Sequence, residues 1–395
     1  MLPAHQSILT VQDSSGNTPL HYLFGNLGDL IPAELVNLIL SFCQDDISLG
    51  NLLSIRNLHG LNVLHLLFGE AACSDELMYS VISRLPDEDF EHEKKDLPHP
   101  ILLGDVDGEL PAHFACYVGL EPTRLKAILD IEHLPNLCQK SLFCVSTTNV
   151  MLPVDSLFYW FGQEYEEQIL RCIDEDFTID SFLDYVLACT NDSDEIRDIN
   201  RIIRTELWPR LQILIQCALQ FKGEFMSPVH LASAIVSFPS TVLKTSQIVA
   251  TEQQFLVHDL DGNLPIHIAA SVRPRQLKHS SGENFNVDED IIGTSLWQSK
   301  REPGSIIKYL LEQQPMAANI PNADGRLPLH IAIESGLDCE ADLKPLLDVY
   351  PQGSSNIDPI TKLHPFMLAA VYNTVDAIFE LLLVYPSVCN EFTNE

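Results

Sequence analysis

The sequence predicts an all-α fold, a solenoid of about eight helix–turn–helix units. A twelve-residue pattern combines an Asp or Asn, a Gly three residues later, a Pro and a His, and it occurs four times. The copies occupy residues 13–24, 105–116, 259–270 and 322–333. A pattern that recurs along a chain marks a structural unit and not a single active site. A stack of such units also explains how 395 residues fold without one large core.

The pattern describes a tight turn followed by the start of a helix. Gly permits positive φ, and the Asp or Asn side chain can accept hydrogen bonds from its own turn. Pro fits the first helical turn, where its missing N–H has no intrahelical partner. Thr18 and Ser227 precede this Pro as predicted N-caps, whereas Leu110, Leu264 and Leu327 provide no side-chain cap.

The recurring His is predicted to fix the turn through hydrogen bonds to the backbone and to neighbouring side chains. It occurs at His21, His65, His113, His230, His267 and His330. The copies lie one repeat apart, about 10 Å, which is too far for them to share a zinc ion.

The pattern resembles the ankyrin repeat, a unit of about 33 residues that comprises a turn and two helices. The second helix of that unit usually ends in a paired-Leu run, and such runs occur at 306–311, 343–347 and 378–383. The resemblance implies an ankyrin-type α-solenoid with short hairpin turns. It also implies that the turn tips and first helices line a concave face, the usual binding surface of such stacks.

The Pro of the pattern, or its equivalent, marks eight repeats. The markers are Pro19, Val63, Pro111, Pro153, Pro228, Pro265, Pro328 and Pro365. Most intervals between them exceed the ankyrin period, so we expect lengthened loops or second helices. Repeat four is degenerate because Asp155 replaces its His, and repeat eight has Met367 at that position.

We divide the chain into divergent N-terminal repeats at 1–160, an acidic helical segment at 161–221 and C-terminal repeats at 222–395. The stretch 162–200 holds 12 acidic and 2 basic residues, interleaved with apolar ones, which predicts amphipathic helices. The acidic segment is either an insert or a repeat that has drifted beyond recognition. A mobile surface loop is expected as an insertion at 273–304.

The composition excludes several classes of function. The 23 Lys and Arg against 55 Asp and Glu give a formal net charge of −32, so the surface repels phosphate backbones and anionic lipids. No apolar run reaches the roughly 18 residues of a membrane span, and the first residues do not read as a secretory signal. The ten Cys include no C-x-x-C pair, which fits buried thiols in an intracellular, cytoplasmic protein.

No motif nominates an enzymatic site. The sequence lacks G-x-S-x-G, H-E-x-x-H, P-loop and G-x-G-x-x-G patterns. The Asp-x-Asp-Gly turns at 105–108 and 259–262 lack the spacing and the Glu of an EF-hand. We therefore expect no catalytic residues, no cofactor, no metal and no small-molecule substrate.

The turn tips are the candidate partner-binding positions. Their residues differ between the copies while Gly and Pro recur, as expected if sterics fix the frame and the tips are free to be chosen for a partner. The candidates are Asp107, Glu109, Asp261, Asn263, Asp324 and Arg326.

The predicted function is a non-enzymatic scaffold or adaptor that binds another protein on its concave face. An acidic groove would steer a basic peptide or domain into place. An alternative is a regulatory or substrate-recruiting subunit of an enzyme complex, such as a ubiquitin ligase, with helices of 160–221 as a second docking surface. A third alternative, an enzyme with an unrecognised site in that segment, has no supporting residue constellation.

Overall fold

The computed structural model shows two compact bodies made of helical repeats. It describes residues 8–26, 33–41, 46–69, 75–86, 98–146, 151–173, 178–189, 193–220, 226–235, 240–250, 254–272, 278–279, 306–372 and 375–388. The first body comprises Met1–Tyr185, Thr190–Phe221 and Gln276–Ser299, and the second comprises Val186–Cys189, Lys222–Arg275 and Lys300–Glu395. The described residues form turn–helix–helix repeats, with a single pair of two-residue strands. The predicted all-α, ankyrin-type fold of about eight repeats is confirmed.

Repeats one to four form the first body, apart from Val186–Cys189, which belong to the second. Their helices are α1 (Pro19–Asn26), α2 (Ala33–Leu40), α3 (Asp46–Leu53), α4 (Val63–Gly69), α5 (Asp75–Ile82), α6 (Pro111–Tyr117), α7 (Pro122–Leu129), α8 (Pro135–Leu142), α9 (Pro153–Glu164), α10 (Glu166–Leu170), α11 (Ile179–Ala188), α12 (Asp194–Ile202) and α13 (Trp208–Leu219). The first helices of the repeats, α1, α4, α6 and α9, pack in one row. The second helices, α2, α5, α7 and α13, pack in another.

The helical insertion near the middle lies within repeat four. The first helix of repeat four is α9. Helix α13 packs against α7, the second helix of repeat three. Helix α13 therefore occupies the second-helix position, and residues 165–207 lie between the two helices of one repeat. This arrangement favours an insert over a drifted repeat. The insertion buries apolar side chains of its own: Ile169, Ile179, Phe182, Leu183, Ile196 and Ile199.

Repeats five to eight form the second body. Their helices are α14 (Pro228–Ser233), α15 (Ser240–Val249), α16 (Pro265–Ser271), α17 (Ile306–Gln313), α18 (Pro328–Glu334), α19 (Lys344–Val349), α20 (Pro365–Tyr372) and α21 (Val375–Val384). The first helices α14, α16, α18 and α20 again pack in a row, and α17 packs on α19.

The expected loop at 273–304 lies almost entirely outside the described residues. Its described part is strand β2 (Lys278–His279), which pairs in parallel with β1 (Cys144–Val145). Both strands belong to the first body.

The long intervals between repeats have a structural cause. Repeats one and three contain an additional α-helix after the second helix, α3 and α8. Repeats five, six and seven have a short 3₁₀ turn at that place: Gln254–Leu256, Pro315–Asn319 and Pro351–Ser355. Repeats one and three are lengthened because this connection is a full helix, whereas repeat two has the 3₁₀ turn Pro100–Leu102 there.

Five of the described turns are closed by the side chain of their Asp or Asn, as the sequence indicated. Oδ1 of Asp105 accepts from the N–H groups of Asp107 and Glu109, both at 2.9 Å. The same two bonds recur in four further turns, with Oδ1 of Asp13, Asn57, Asp259 and Asn322 as acceptor. The side chain thus accepts hydrogen bonds from two backbone N–H groups of the turn that have no partner in a helix or a sheet.

Backbone hydrogen bonds also join one turn to the next. The N–H of Leu58 donates to the carbonyl of Ser15 at 3.0 Å, and the N–H of Val106 donates to the carbonyl of His59 at 3.1 Å. Gly60 lies at this contact with φ of +77°, and a Cβ added there would lie 2.6 Å from the backbone nitrogen of Val106. Glycine is therefore required for the turn and for the approach of the next repeat.

The substitution Gly60→Ala is expected to lower the free energy of unfolding by more than about 2 kcal/mol, since positive φ alone costs a non-glycine residue about 1–2 kcal/mol and the turn at Val106 must also shift. Gly325→Ala is the matched control. Gly325 has the same φ of +77°, but its added Cβ meets no atom closer than 3.4 Å, at Pro359. Urea denaturation of both variants measures the difference. Equal losses would show that the neighbouring turn places no constraint on Gly60.

Candidate binding surface

Each recurring His links its own turn to the turn of the next repeat. Nδ1 of His65 accepts from the N–H of Asn62 at 3.1 Å, and Nε2 lies 2.9 Å from the carbonyl oxygen of Glu109 in repeat three. Nε2 makes the equivalent contact in the pairs His21–Leu61, His113–Met151, His230–Asn263, His267–Arg326 and His330–Asn356. The predicted turn-fixing role is supported, and the bond to the following repeat is an additional finding.

This geometry fits a neutral imidazole with its proton on Nε2. Nδ1 of His267 accepts the N–H of Leu264 at 3.0 Å, so it carries no proton and Nε2–H donates to the carbonyl of Arg326. Nδ1 of His65 also lies 2.8 Å from Oδ1 of Asn62. Burial lowers the pKa of His65 to about 3 and that of His267 to about 4. Burial also lowers the pKa of His21, His230 and His330. Protonation of Nδ1 would place a proton against the N–H group from which Nδ1 accepts a hydrogen bond.

Repeat four replaces this His with a carboxylate. Oδ2 of Asp155 accepts from the N–H of Leu152 at 2.8 Å, which reproduces the Nδ1 contact of the other repeats. Repeat four is also the repeat that carries the insertion.

The predicted partner-binding residues fall into two positions of the turn. Asp107, Asp261 and Asp324 are exposed at the tips. Glu109 and Asn263 lie two residues further on and are half-buried. At that position the N–H donates to the turn Asp or Asn and the carbonyl accepts from the preceding His. The side chain at that position therefore extends from a backbone fixed by hydrogen bonds on both sides.

Arg326 differs from the other five candidates because its guanidinium lies inside the chain. It is 8% exposed, and its Nε and a terminal nitrogen bind the two carboxylate oxygens of Asp358 at 3.0 and 3.3 Å. Glu334 pairs with the remaining terminal nitrogen. Burial opposes ionisation of Asp358, but the Thr361 hydroxyl and the Arg326 charge hold its pKa below the ordinary value. Arg326 thus joins repeat seven to repeat eight.

The turn tips also present aliphatic side chains, which are not part of the recurring sequence pattern. The residue after the turn Asp or Asn is Leu58 (71% exposed), Val106 (63%) and Leu260 (84%) in repeats two, three and six. In the sequence, this feature is visible as an aliphatic residue at the second position of these turns. Contiguous exposed apolar side chains are a feature of interaction surfaces, and the turns of Leu58 and Val106 are joined by a backbone hydrogen bond.

Tyrosines of the first helices lie beside the turns of the first body. The hydroxyl of Tyr22 donates to Oδ2 of Asp13. Tyr117 stacks on Tyr159, with ring centroids 5.4 Å apart. The pKa of Tyr117 is raised by burial first, and then by its neighbours Tyr159 and Glu109. Tyr22 and Tyr117 are exposed, and Tyr22 joins its ring directly to an acidic residue of the turn.

Neither a metal cluster nor a membrane-spanning helix was found within the described ranges. No group of three or more His, Cys, Asp or Glu there is placed to hold a metal ion. Within the same residues, no helix is both long and apolar enough to cross a bilayer. Burial raises the pKa of the Cys217 thiol to about 12, which disfavours the nucleophilic thiolate.

Among solved structures, the chain is similar to one titled "Crystal structure of the ankyrin repeat domain of Bcl-3: a unique member of the IkappaB protein family". The two share 15% sequence identity with a TM-score of 0.28, and the match covers 85% of this chain and 99% of that chain. No family model and no curated protein matches the sequence. The fold assignment therefore rests on the turns, helices and hydrogen bonds described above.

The imidazole links predict a loss of stability in acid. An unfolded His65 has a pKa of 6.5, against about 3 in the fold. Its contribution is therefore complete above pH 6.5 and is lost as the pH falls toward the folded value, at about 1.4 kcal/mol per pH unit. His65→Gln keeps an acceptor and a donor but does not titrate. Urea unfolding between pH 7 and pH 5 should show a smaller loss for this variant than for the native chain, and parallel losses would contradict a neutral His65.

The buried pair of Arg326 and Asp358 predicts an asymmetric mutational effect. Arg326→Met leaves the Asp358 carboxylate buried without its cation, and we expect the free energy of unfolding to fall by about 3–5 kcal/mol. Adding Asp358→Asn to this variant removes the charge and should recover much of the loss. Chemical denaturation of both variants tests this. A loss below about 1 kcal/mol in the single variant would show a solvated pair instead.

Proposed function

We propose that this protein is a non-enzymatic scaffold or adaptor that binds a partner protein through its turn tips and first helices. The proposal is supported most directly by the division of each turn into bonded and exposed positions. In the described turns, the Asp or Asn and the His make hydrogen bonds, and the Gly allows close contacts. These three residues form the frame of the turn. The side chains of the tip residues extend beyond that frame, and the tip residue before the Gly is Asp in three turns, Ser15 in repeat one and His59 in repeat two.

The chemistry of the tips indicates a basic partner. Asp107, Asp261 and Asp324 are exposed at equivalent positions of three turns, and the chain carries a formal charge of −32. Opposite charge raises the rate of encounter and fixes the orientation of a partner. Glu109 and Asn263, beside these tips, remain in the proposed surface, whereas buried Arg326 contributes through the frame.

Charge reversal tests this proposal. The triple variant Asp107→Lys, Asp261→Lys and Asp324→Lys reverses the three tips and should lose the basic partner in affinity capture from a native lysate. The matched control reverses exposed acidic residues of second helices: Glu312→Lys, Asp348→Lys and Asp376→Lys. Both variants change the net charge equally, so a loss confined to the tip variant locates the site.

The affinity for a captured basic partner should fall as the salt concentration rises from about 50 to 500 mM, because exposed charges are then screened. An affinity that does not weaken would contradict steering by the acidic tips. Equal retention by both charge-reversed variants would place the binding surface elsewhere on the chain.

The insertion in repeat four supports a second candidate, a regulatory or substrate-recruiting subunit of an enzyme complex such as a ubiquitin ligase. Residues 165–207 bury an apolar set of their own and extend the chain between two packed helices. In this candidate the segment serves as a second binding surface that is separable from the tips. Partners retained by the tip variant but lost when the insertion is shortened would favour this candidate.

A further inference from the structure

The turns of repeats two and three present two large aliphatic side chains in direct succession. Leu58 and Val106 are both exposed, and their turns are joined by the bond from the N–H of Val106 to the carbonyl of His59. In the second body, Leu260 is followed in the next repeat by the small Ala323. Consecutive apolar anchors therefore belong to the first body.

The hydrogen bonds fix the spacing of these anchors. The N–H of Asp105 donates to the carbonyl of Glu109 at 3.0 Å, so the two ends of one turn lie side by side at the spacing of neighbouring strands. The bond from Val106 to His59 joins adjacent turns in the same way. Equivalent positions of adjacent turns thus lie two strand spacings apart, about 9.6 Å.

A polyproline II helix matches this spacing, and a β-strand does not. A polyproline II chain has three residues per turn and rises 3.1 Å per residue, so side chains three apart share a face at about 9.3 Å. Side chains on one face of a β-strand are spaced by about 6.7 or 13 Å. An α-helix repeats after about 5.4 Å per turn.

The surroundings of the anchors suit the same ligand. Tyr22, which bonds Asp13 in the turn of repeat one, and Tyr117, at the end of the first helix of repeat three, are exposed. Aromatic rings are a common feature of polyproline II recognition. Carboxylates outnumber cations around the two tips: Asp13, Asp105, Asp107 and Glu109 against Arg56. This balance favours basic residues between the apolar ones.

We propose that Leu58 and Val106 bind a basic segment of the partner in polyproline II conformation, with apolar residues three positions apart and Lys or Arg between them. The inference rests on the proposed function and names the partner's local chemistry. Each apolar side chain contacts one tip, and the basic residues face the carboxylates around it.

Two synthetic peptides test the spacing. One consists of four Leu-Pro-Lys triplets, and the other has the same composition in scrambled order. Fluorescence anisotropy at about 50 mM salt should show the triplet peptide binding the full-length chain at least about tenfold more tightly, because only its Leu side chains reach both tips. The double variant Leu58→Ser, Val106→Ser should remove this preference.

Val375→Ser is the matched control, since Val375 is 78% exposed but lies on the second helix of repeat eight. It should retain the preference, and melting temperatures should confirm that all variants fold. Equal binding of the two peptides would overturn the inference and leave an acidic surface that selects charge alone. Binding of neither peptide would also overturn the inference, whereas the proposed function is tested separately by the two charge-reversed variants.

Discussion

The structure depends on the bond between a buried neutral imidazole and the carbonyl of the following repeat. A helical hairpin of this size cannot bury its apolar faces alone and is stable only against neighbours. Hydrophobic packing supplies most of the energy but little orientation, because it is non-directional. The imidazole has a donor on one side and an acceptor on the other. It therefore sets the position of one turn relative to the next in a way that packing does not.

The division between frame and tip follows from this constraint. The Asp or Asn side chain, the positive-φ Gly and the imidazole together satisfy the polar groups of the turn and fix its backbone. The two residues between the Asp or Asn and the Gly extend beyond these bonds and are free to vary. Repeats two and three have Leu58 and Val106 there, next to His59 and Asp107. A rigid frame that presents variable residues is a suitable basis for recognition, because little side-chain or backbone order must be created on binding.

The sequence predicted the parts of this fold that depend on local stereochemistry. An Asp or Asn before a Gly makes a turn wherever it occurs, so the turns and helix starts were predictable from one copy. The carbonyl that each His reaches lies in the next repeat, and the side chain that pairs with Arg326 is Asp358, 32 residues away. Both contacts depend on stacking, which no single repeat encodes. The pairing of α13 with α9 across 43 inserted residues, 165 to 207, is equally non-local.

Repeat eight shows where a repeat pattern misleads. In the other repeats, the carbonyl that accepts from the His lies two residues before the Pro or its equivalent. For Pro365 that residue is Leu363, but the observed acceptor for His330 is the carbonyl of Asn356. The turn here is longer, and Lys362, with φ of +62°, takes the left-handed conformation that Gly adopts elsewhere. The N–H of Lys362 closes this turn on the carbonyl of Asp358. A different turn chemistry thus shifts the register by several residues while the helices that follow keep their place.

The measurement that tests this account most directly is the protonation state of the imidazoles, by ¹H–¹⁵N NMR of the histidine side chains near pH 6. The account predicts that the recurring rings, including His65 and His267, are neutral with the proton on Nε2 and remain so well below the pKa of free histidine. Rings that carry the proton on Nδ1, or that are charged at this pH, would contradict the proposed link between repeats.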